Sequence, residues 1–184
     1  MKKLLLASAL LAASQVATAA DYKIDTDGAH AFIQFKVSHL GYSYVMGRFN
    51  KFDGQFSWDA DKPEASKITV NIDTTSVDSN HAKRDKHISS PDFLNVDKFA
   101  TAKFVSTKVE EVGDGELTVT GNLTLLGVTK EIQIDVSKIG EGDDPWGGYR
   151  AGFEGTTSIQ MGDFGTKMDF GTVDFNLVLE GIRQ

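Results

Sequence analysis

Apolar residues occupy every second position along most of the chain after residue 30. The clearest runs are residues 31–37, 52–58, 68–72, 117–125, 132–136 and 173–179, with shorter ones over 102–104 and 151–153. A period of two is typical of strands that bury one face. The phase shifts between Phe49 and Phe52, which predicts a β-bulge there. The pattern predicts an all-β protein of about eight strands, enough to close a barrel that holds one small ligand.

One segment, residues 77–95, interrupts the β pattern. Asp78 or Ser79 is a suitable N-cap for a short helix, and Pro91 prevents that helix from continuing. Apolar residues such as Leu94 would seat the segment on the barrel. We therefore predict a short helical insertion that covers one end of the barrel.

The predicted interior mixes small and large residues. Ala31, Gly54, Gly121, Ala151 and Gly155 fall in or near the inward phase among large aliphatic and aromatic side chains. This mixture fits an apolar channel, but it also fits a solid core in which small residues make room for phenylalanines. Periodicity alone leaves both interpretations open. The residues predicted to line the interior are Ile33, Phe35, Val37, Ile68, Val70, Ile72, Phe104, Val119, Gly121, Leu123, Ile132, Ile134, Phe153, Phe175 and Leu177.

The first residues have the composition of a secretory signal peptide. Lys2 and Lys3 precede an apolar run over residues 4–13, and Ala17-Thr18-Ala19 matches the small-residue site that signal peptidase cleaves. A run of about ten apolar residues is only half the length that crosses a bilayer as a helix. We therefore predict a signal peptide over residues 1–19, cleaved after Ala19, and one secreted domain over residues 20–184.

The predicted mature chain is acidic and lacks cysteine. Without Lys2 and Lys3 it holds 17 basic and 26 acidic residues, so the formal net charge of −7 for the full sequence becomes −9. Because the basic residues are scattered over so acidic a chain, nucleic acid is not expected as a partner. The absence of cysteine excludes disulfides, thiolate metal sites and thiol nucleophiles.

Four separated motifs give the chain a family resemblance. The predicted mature chain opens with DYKIDTDGAHAFIQFKVSHLGYSYVMGRFNKFDGQF and continues with TTSVDSNHAKRDKHISSPDFLN, LTVTGNLTLLGVTKEI and GDDPWGGYRAGFEG. In sequence and order these motifs resemble the YceI family over essentially the whole mature domain. The resemblance implies a periplasmic protein with an extended, eight-stranded, antiparallel, lipocalin-like barrel. It also implies that the hydrophobic pore of this barrel binds polyisoprenoid or another long-chain amphiphile.

The resemblance further implies a binding or carrier protein rather than an enzyme. No catalytic residue, no metal and no cofactor is expected, apart from a bound isoprenoid-type lipid. The native lipid is left open among polyisoprenoids, quinones and prenyl phosphates, and transient contact with a membrane is compatible with such a cargo.

The residues best suited to chemistry cluster in the predicted helix. His81, Arg84 and Asp85 share one helix face at positions i, i+3 and i+4, while His87 points elsewhere. Motifs such as HExxH are lacking, and zinc sites need three or four protein ligands, so no metal site is predicted. One interpretation is a structural pairing of Arg84 with Asp85. Another is that His81 or Arg84 contacts a lipid head group at the barrel rim.

Two alternative functions remain open at the level of sequence. The first is a periplasmic hydrolase or metal-dependent stress enzyme that uses His81, Arg84, Asp85 and His87. The second is a solid structural barrel that binds protein partners. A lipid carried in stoichiometric amount would separate the carrier from both.

Overall fold

The computed structural model describes residues 19–168 and 170–184. All of the predicted signal peptide except Ala19 lies outside these residues, so the cleavage site stays a prediction. The described residues form eleven strands, the helix α1 (Ala82–Ile88) and three 3₁₀ turns (Pro63–Ala65, Thr74–Ser76 and Met161–Phe164). The strands are β1 (Ala20–Ile24), β2 (Phe32–His39), β3 (Ser43–Phe49), β4 (Phe52–Trp58), β5 (Lys67–Asp73), β6 (Val77–Asp78), β7 (Thr101–Gly113), β8 (Glu116–Leu125), β9 (Val128–Asp143), β10 (Tyr149–Gln160) and β11 (Thr172–Arg183).

Hydrogen-bond pairing closes these strands into one antiparallel ring. Strand β11 pairs with both β1 and β2, so β1 and β2 occupy a single position in the ring. Strands β3 and β4 share the next position, since β3 pairs with β2 and β4 with β1. Strands β5 and β6 share the third, and β7 to β11 supply the other five. The predicted eight-stranded antiparallel barrel is therefore confirmed.

Each of the first three ring positions is interrupted once. Residues 25–31 separate β1 from β2, residues 50–51 separate β3 from β4, and a 3₁₀ turn separates β5 from β6. The second interruption coincides with the phase shift between Phe49 and Phe52. There the Asn50 N–H donates to the Ser76 carbonyl at 3.1 Å, so the irregular segments of neighbouring positions bond to each other.

The inward side chains form two apolar clusters. The larger cluster lies inside the barrel and includes Ile33, Phe104 and Val119. The smaller cluster includes Leu94 of the helical insertion together with Phe164, and it closes one end of the barrel. The two clusters account for the alternating pattern, because each apolar run of the sequence contributes its inward face to one or both of them.

The helical insertion spans residues 79–100, between β6 and β7. Its N-cap is His81, whose Nδ1 accepts the Arg84 N–H at 3.2 Å, and not the predicted Asp78 or Ser79. His87 packs edge-on against Phe93, with 4.8 Å between ring centres. Within the described residues, no helix combines the length and the apolar character needed to span a membrane.

Candidate functional site

The barrel interior contains an apolar cavity of about 160 Å³. Strands β4, β5 and β7 to β11 supply most of its wall, with Ile33 added from β2. A cavity of roughly 150 Å³ in an engineered protein core holds one benzene molecule. The interior is therefore not filled solid by its own side chains.

Twelve of the fifteen residues that the sequence predicts for the interior line this cavity. They are Ile33, Ile68, Val70, Ile72, Phe104, Val119, Leu123, Ile132, Ile134, Phe153, Phe175 and Leu177. Phe35 and Val37 belong instead to the smaller cluster, where the Phe35 ring packs 5.9 Å from that of Phe49. Gly121 faces inward, but the Phe104 ring fills its place: a Cβ built on Gly121 would lie 2.6 Å from Phe104 Cε2.

The sequence-based set misses other residues of the wall. Phe56, Trp58, Leu117 and Leu125 line the cavity. These four continue the alternating runs, so following each run to its end would have found them. Ser66 carries no such signal, because it precedes β5. Its Oγ is buried and makes no hydrogen bond within the described chain, which costs about 1–3 kcal/mol for a hydroxyl.

Aromatic side chains close the cavity at the end opposite the helical insertion. Tyr22 stacks on Phe56 and Trp58 meets Phe153 edge-on, each pair with 4.9 Å between ring centres. Trp58 Nε1 donates to Glu141 at 3.0 Å. All four rings are buried. Both ends of the barrel are thus covered by apolar side chains.

Arg150 joins three acidic residues where β1, β10 and β11 meet. Its Nη1 donates to Asp25 Oδ2 at 2.7 Å and to Glu180, and its Nε donates to Asp144 Oδ2 at 2.9 Å. Asp25 is only 7% exposed and also accepts the Gly28 N–H. The hydrogen bond from Arg150 lowers the pKa of Asp25. This cluster holds the segment between β1 and β2 against the barrel.

The same cluster contains the group of described residues with a geometry suited to a metal ion. Ligand atoms of Asp25, His30 and Glu180 lie within 4.8 Å of one another. However, the Arg150 guanidinium already contacts both carboxylates and offsets part of their negative charge. These carboxylates therefore bind the Arg150 side chain, and we assign the cluster a structural role.

The Asp25 interactions predict an acid-sensitive fold. Because the folded-state pKa of Asp25 is lowered from 3.8, its contribution is complete above that value and is lost as the pH falls through the folded pKa. We expect Asp25→Asn to cost about 1–2 kcal/mol at pH 7 and to flatten the decline in stability below about pH 4. Urea unfolding across this range measures both, with Asp114→Asn, in an exposed turn, as the control. An unchanged pH profile for Asp25→Asn would contradict the prediction.

Arg84 and Asp85 tie α1 to the end of β6 through Ser79. Arg84 Nε donates to Ser79 Oγ at 2.7 Å, and Asp85 accepts the Ser79 N–H at 2.8 Å as well as its hydroxyl. His81 and His87 lie at opposite ends of α1, so these four polar residues do not form one catalytic or metal centre. None of them lines the cavity, and two of the Arg84 nitrogens, Nε and Nη2, donate to Ser79.

Comparison with known proteins gives this geometry a family. The family model of a YceI-like domain matches residues 22–181. A UPF0312 protein of Shewanella baltica is 62% identical, with both chains covered completely. The crystal structure of BcnA from Burkholderia cenocepacia matches with a TM-score of 0.75 at 22% identity, over 85% of this chain and 98% of its own. A polyisoprenoid-binding domain from Saccharophagus degradans matches with a TM-score of 0.66 at 18% identity, over 91% and 100% of the two chains. The chain therefore belongs to the YceI family.

Proposed function

We propose that this chain is a periplasmic carrier that holds a long isoprenoid-type lipid in the barrel interior. The observation that carries the proposal is the apolar cavity, whose wall includes only four polar residues among those that the structure describes, Ser57, Ser66, Glu154 and Thr157. A buried water needs two to four polar partners, so such a wall favours an apolar ligand over water. Binding rather than catalysis is further supported by the structural contacts of His81, Arg84, Asp85 and His87.

Two observations support the class of lipid and the location. The solved structure from S. degradans that shares this fold is a polyisoprenoid-binding domain. Polyisoprenoids, isoprenoid quinones and prenyl phosphates share one kind of apolar tail, which the cavity wall matches. The periplasmic location rests on the signal peptide predicted from residues 1–19.

The free energy of burying the lipid tail favours reversible transport of the lipid over its tight storage. Burying one methylene contributes roughly 0.8 kcal/mol relative to water, so a tail of tens of carbons would never leave the protein for water. A membrane offers the same tail an apolar environment, however. The net preference therefore depends on packing and on the polar end of the lipid, which suits reversible transfer between the protein and a membrane.

The cavity volume limits how much lipid enters without rearrangement. Since roughly 150 Å³ holds one benzene, the cavity of about 160 Å³ accommodates only a short segment of an isoprenoid tail. In this proposal Phe104, Phe153 and Phe175, the phenylalanines of the central wall, change rotamer to admit a longer tail.

Native mass spectrometry of protein purified from membrane-containing cells tests the proposal. The expected result is an additional, solvent-extractable mass in stoichiometric amount that fragments as an isoprenoid. A bare polypeptide mass, found again after incubation with vesicles that contain polyprenol, would falsify the carrier function.

The β2–β3 hairpin supports transient contact with a membrane as part of this function. Leu40, Tyr42, Tyr44 and Met46 are between 61 and 87% exposed and lie along one hairpin. Tyrosine and large apolar side chains are typical of segments that insert into the interfacial region of a bilayer. We propose that the hairpin touches the membrane during lipid transfer.

Replacing Leu40 and Tyr42 by serine should slow transfer of a fluorescent isoprenoid from uncharged vesicles about tenfold, because interfacial apolar area is lost. The melting temperature should not change, since both side chains are exposed. Serine at Val112 and Ile139, which are exposed elsewhere on the barrel, provides the control. Equal transfer rates for the two double variants would argue against a membrane contact at the hairpin.

A further inference from the structure

The barrel wall is incomplete between β9 and β10. Their pairing runs from Tyr149↔Asp143 to Thr156↔Asp135 and ends there. Both strands continue, β9 back to Val128 and β10 on to Gln160, and each stays paired with its other neighbour. Residues 128–134 and 157–160 therefore face each other as two strand segments without a shared ladder. Thr157 Oγ1 donates to the Gln133 carbonyl at 2.6 Å where the two strands separate.

The apolar cavity reaches this opening. Ile132, Thr157 and Phe175 line the cavity, and the same three residues line a polar groove on the outside of the barrel. The cavity and this outer groove therefore adjoin where the β9–β10 ladder ends. We call the outer depression the β9–β10 groove; its polar residues include Lys36, Glu131, Gln133, Asp135, Ser158 and Asp174.

The charges of the β9–β10 groove disfavour an anion. Lys36 is its one cation, and the Lys36 Nζ lies 3.6 Å from Asp174 Oδ2 and over the Tyr44 ring. Glu131 and Asp135 make no ion pair within the part of the chain that the structure describes, so their charges stay uncompensated. A phosphate or carboxylate in the groove would meet three carboxylates and one cation that is already engaged.

We propose that the lipid enters and leaves through the opening between β9 and β10, and that its polar end, uncharged and capable of hydrogen bonds, rests in the β9–β10 groove. A hydroxyl, amide or carbonyl end group suits this position, because strand edges without a partner offer N–H and C=O groups. This inference rests on the proposed carrier function and narrows its ligand to lipids without an anionic head group.

Crosslinking across the opening tests the route. Continuing the register of Thr156↔Asp135 brings Ser158 opposite Gln133, and the chain has no cysteine of its own. In Gln133→Cys/Ser158→Cys, a short thiol-reactive crosslinker should slow lipid exchange at least about tenfold, as expected when the proposed passage is bridged. The control is Gly140→Cys/Gly152→Cys, which joins the same strands where they are paired, at two positions outside the cavity wall. Equal exchange in both crosslinked proteins overturns the lateral route, whereas absence of lipid from both proteins before crosslinking overturns the carrier function itself.

Competition between two lipids tests the head-group preference. Polyprenol and polyprenyl phosphate of equal length, offered together in phosphatidylcholine vesicles, should load in a ratio of about ten to one in favour of the alcohol. Glu131→Lys/Asp135→Lys should reverse the preference, and Glu131→Gln/Asp135→Asn should reduce it if the lysine variant fails to fold. Glu64→Lys/Asp114→Lys changes the net charge equally at exposed positions outside the groove and should keep the wild-type ratio. Preferential loading of the phosphate by the wild-type protein overturns the assignment.

Discussion

Val119→Trp should abolish the bound lipid while leaving the barrel folded. Val119 is buried in the cavity wall, where it lies opposite Val109 on β7 and Ile134 on β9. An indole at this point takes up much of a cavity of about 160 Å³, so little apolar space is left for an isoprenoid tail. The strain of overpacking should cost about 1–3 kcal/mol. Native mass spectrometry measures the lipid complement, and urea unfolding measures the stability.

The opposite face of the same strand provides the control for this variant. Asn122 is exposed on β8, so Asn122→Trp adds the same side chain without entering the interior. We expect this variant to keep both its stability and its full lipid complement. If Val119→Trp unfolds the protein, Val119→Phe repeats the test with a smaller side chain. A folded Val119→Trp protein that still carries one lipid per chain would show that the tail does not occupy this cavity.

Gly121→Ala should lower the free energy of unfolding by roughly 3 kcal/mol, a large effect for one methyl group. A Cβ on Gly121 would lie 2.6 Å from Phe104 Cε2 and 2.6 Å from the Val105 carbonyl oxygen. The ring could rotate away, but the carbonyl belongs to the β7–β8 ladder and moves only with the backbone. Gly121 has no positive φ, so alanine is disfavoured here by lack of space and not by the backbone conformation.

Gly140→Ala and Gly142→Ala are controls. They measure the effect of replacing a strand glycine by alanine where no steric clash results. Both glycines lie on β9, and a Cβ at either one would meet no atom within 4 Å. Alanine in a strand is favoured over glycine by roughly 0.5–1 kcal/mol, so these variants should be neutral or slightly stabilised in urea unfolding. A Gly121→Ala protein as stable as these two would mean that the interior adapts far more easily than the packing at Phe104 indicates.

The sequence by itself was sufficient for the fold class and for the buried face of each strand. Alternation over six clear and two shorter apolar runs indicated which face of each strand is buried, and the break at residues 77–95 located the one α-helix of the described chain. The phase shift at Phe49 and Phe52 marked the point where one ring position divides into β3 and β4. These features are local: the direction of a side chain on a strand follows from its position within the run.

The composition of the site was only partly accessible from the sequence. Alternation predicted that Gly121 and Phe35 face inward, but it could not tell that Phe104 fills the space beside Gly121 or that Phe35 belongs to the smaller cluster. Thr120 follows the outward phase and is nevertheless 8% exposed, beside the bulge that follows Ser106 on β7. Periodicity predicts the strand face on which a side chain lies, but it does not predict which side chains from other strands pack against it.

Tertiary structure alone decided the contacts between distant parts of the chain. Arg150 meets Asp25 and Glu180, 125 and 30 residues away, only because β1, β10 and β11 adjoin when the barrel closes. The opening between β9 and β10 likewise depends on where their register ends, at Thr156↔Asp135. Both features follow from strand order, stagger and tilt, which couple all eight ring positions at once. A local pattern of apolar and polar residues carries the direction of each side chain but does not carry that stagger.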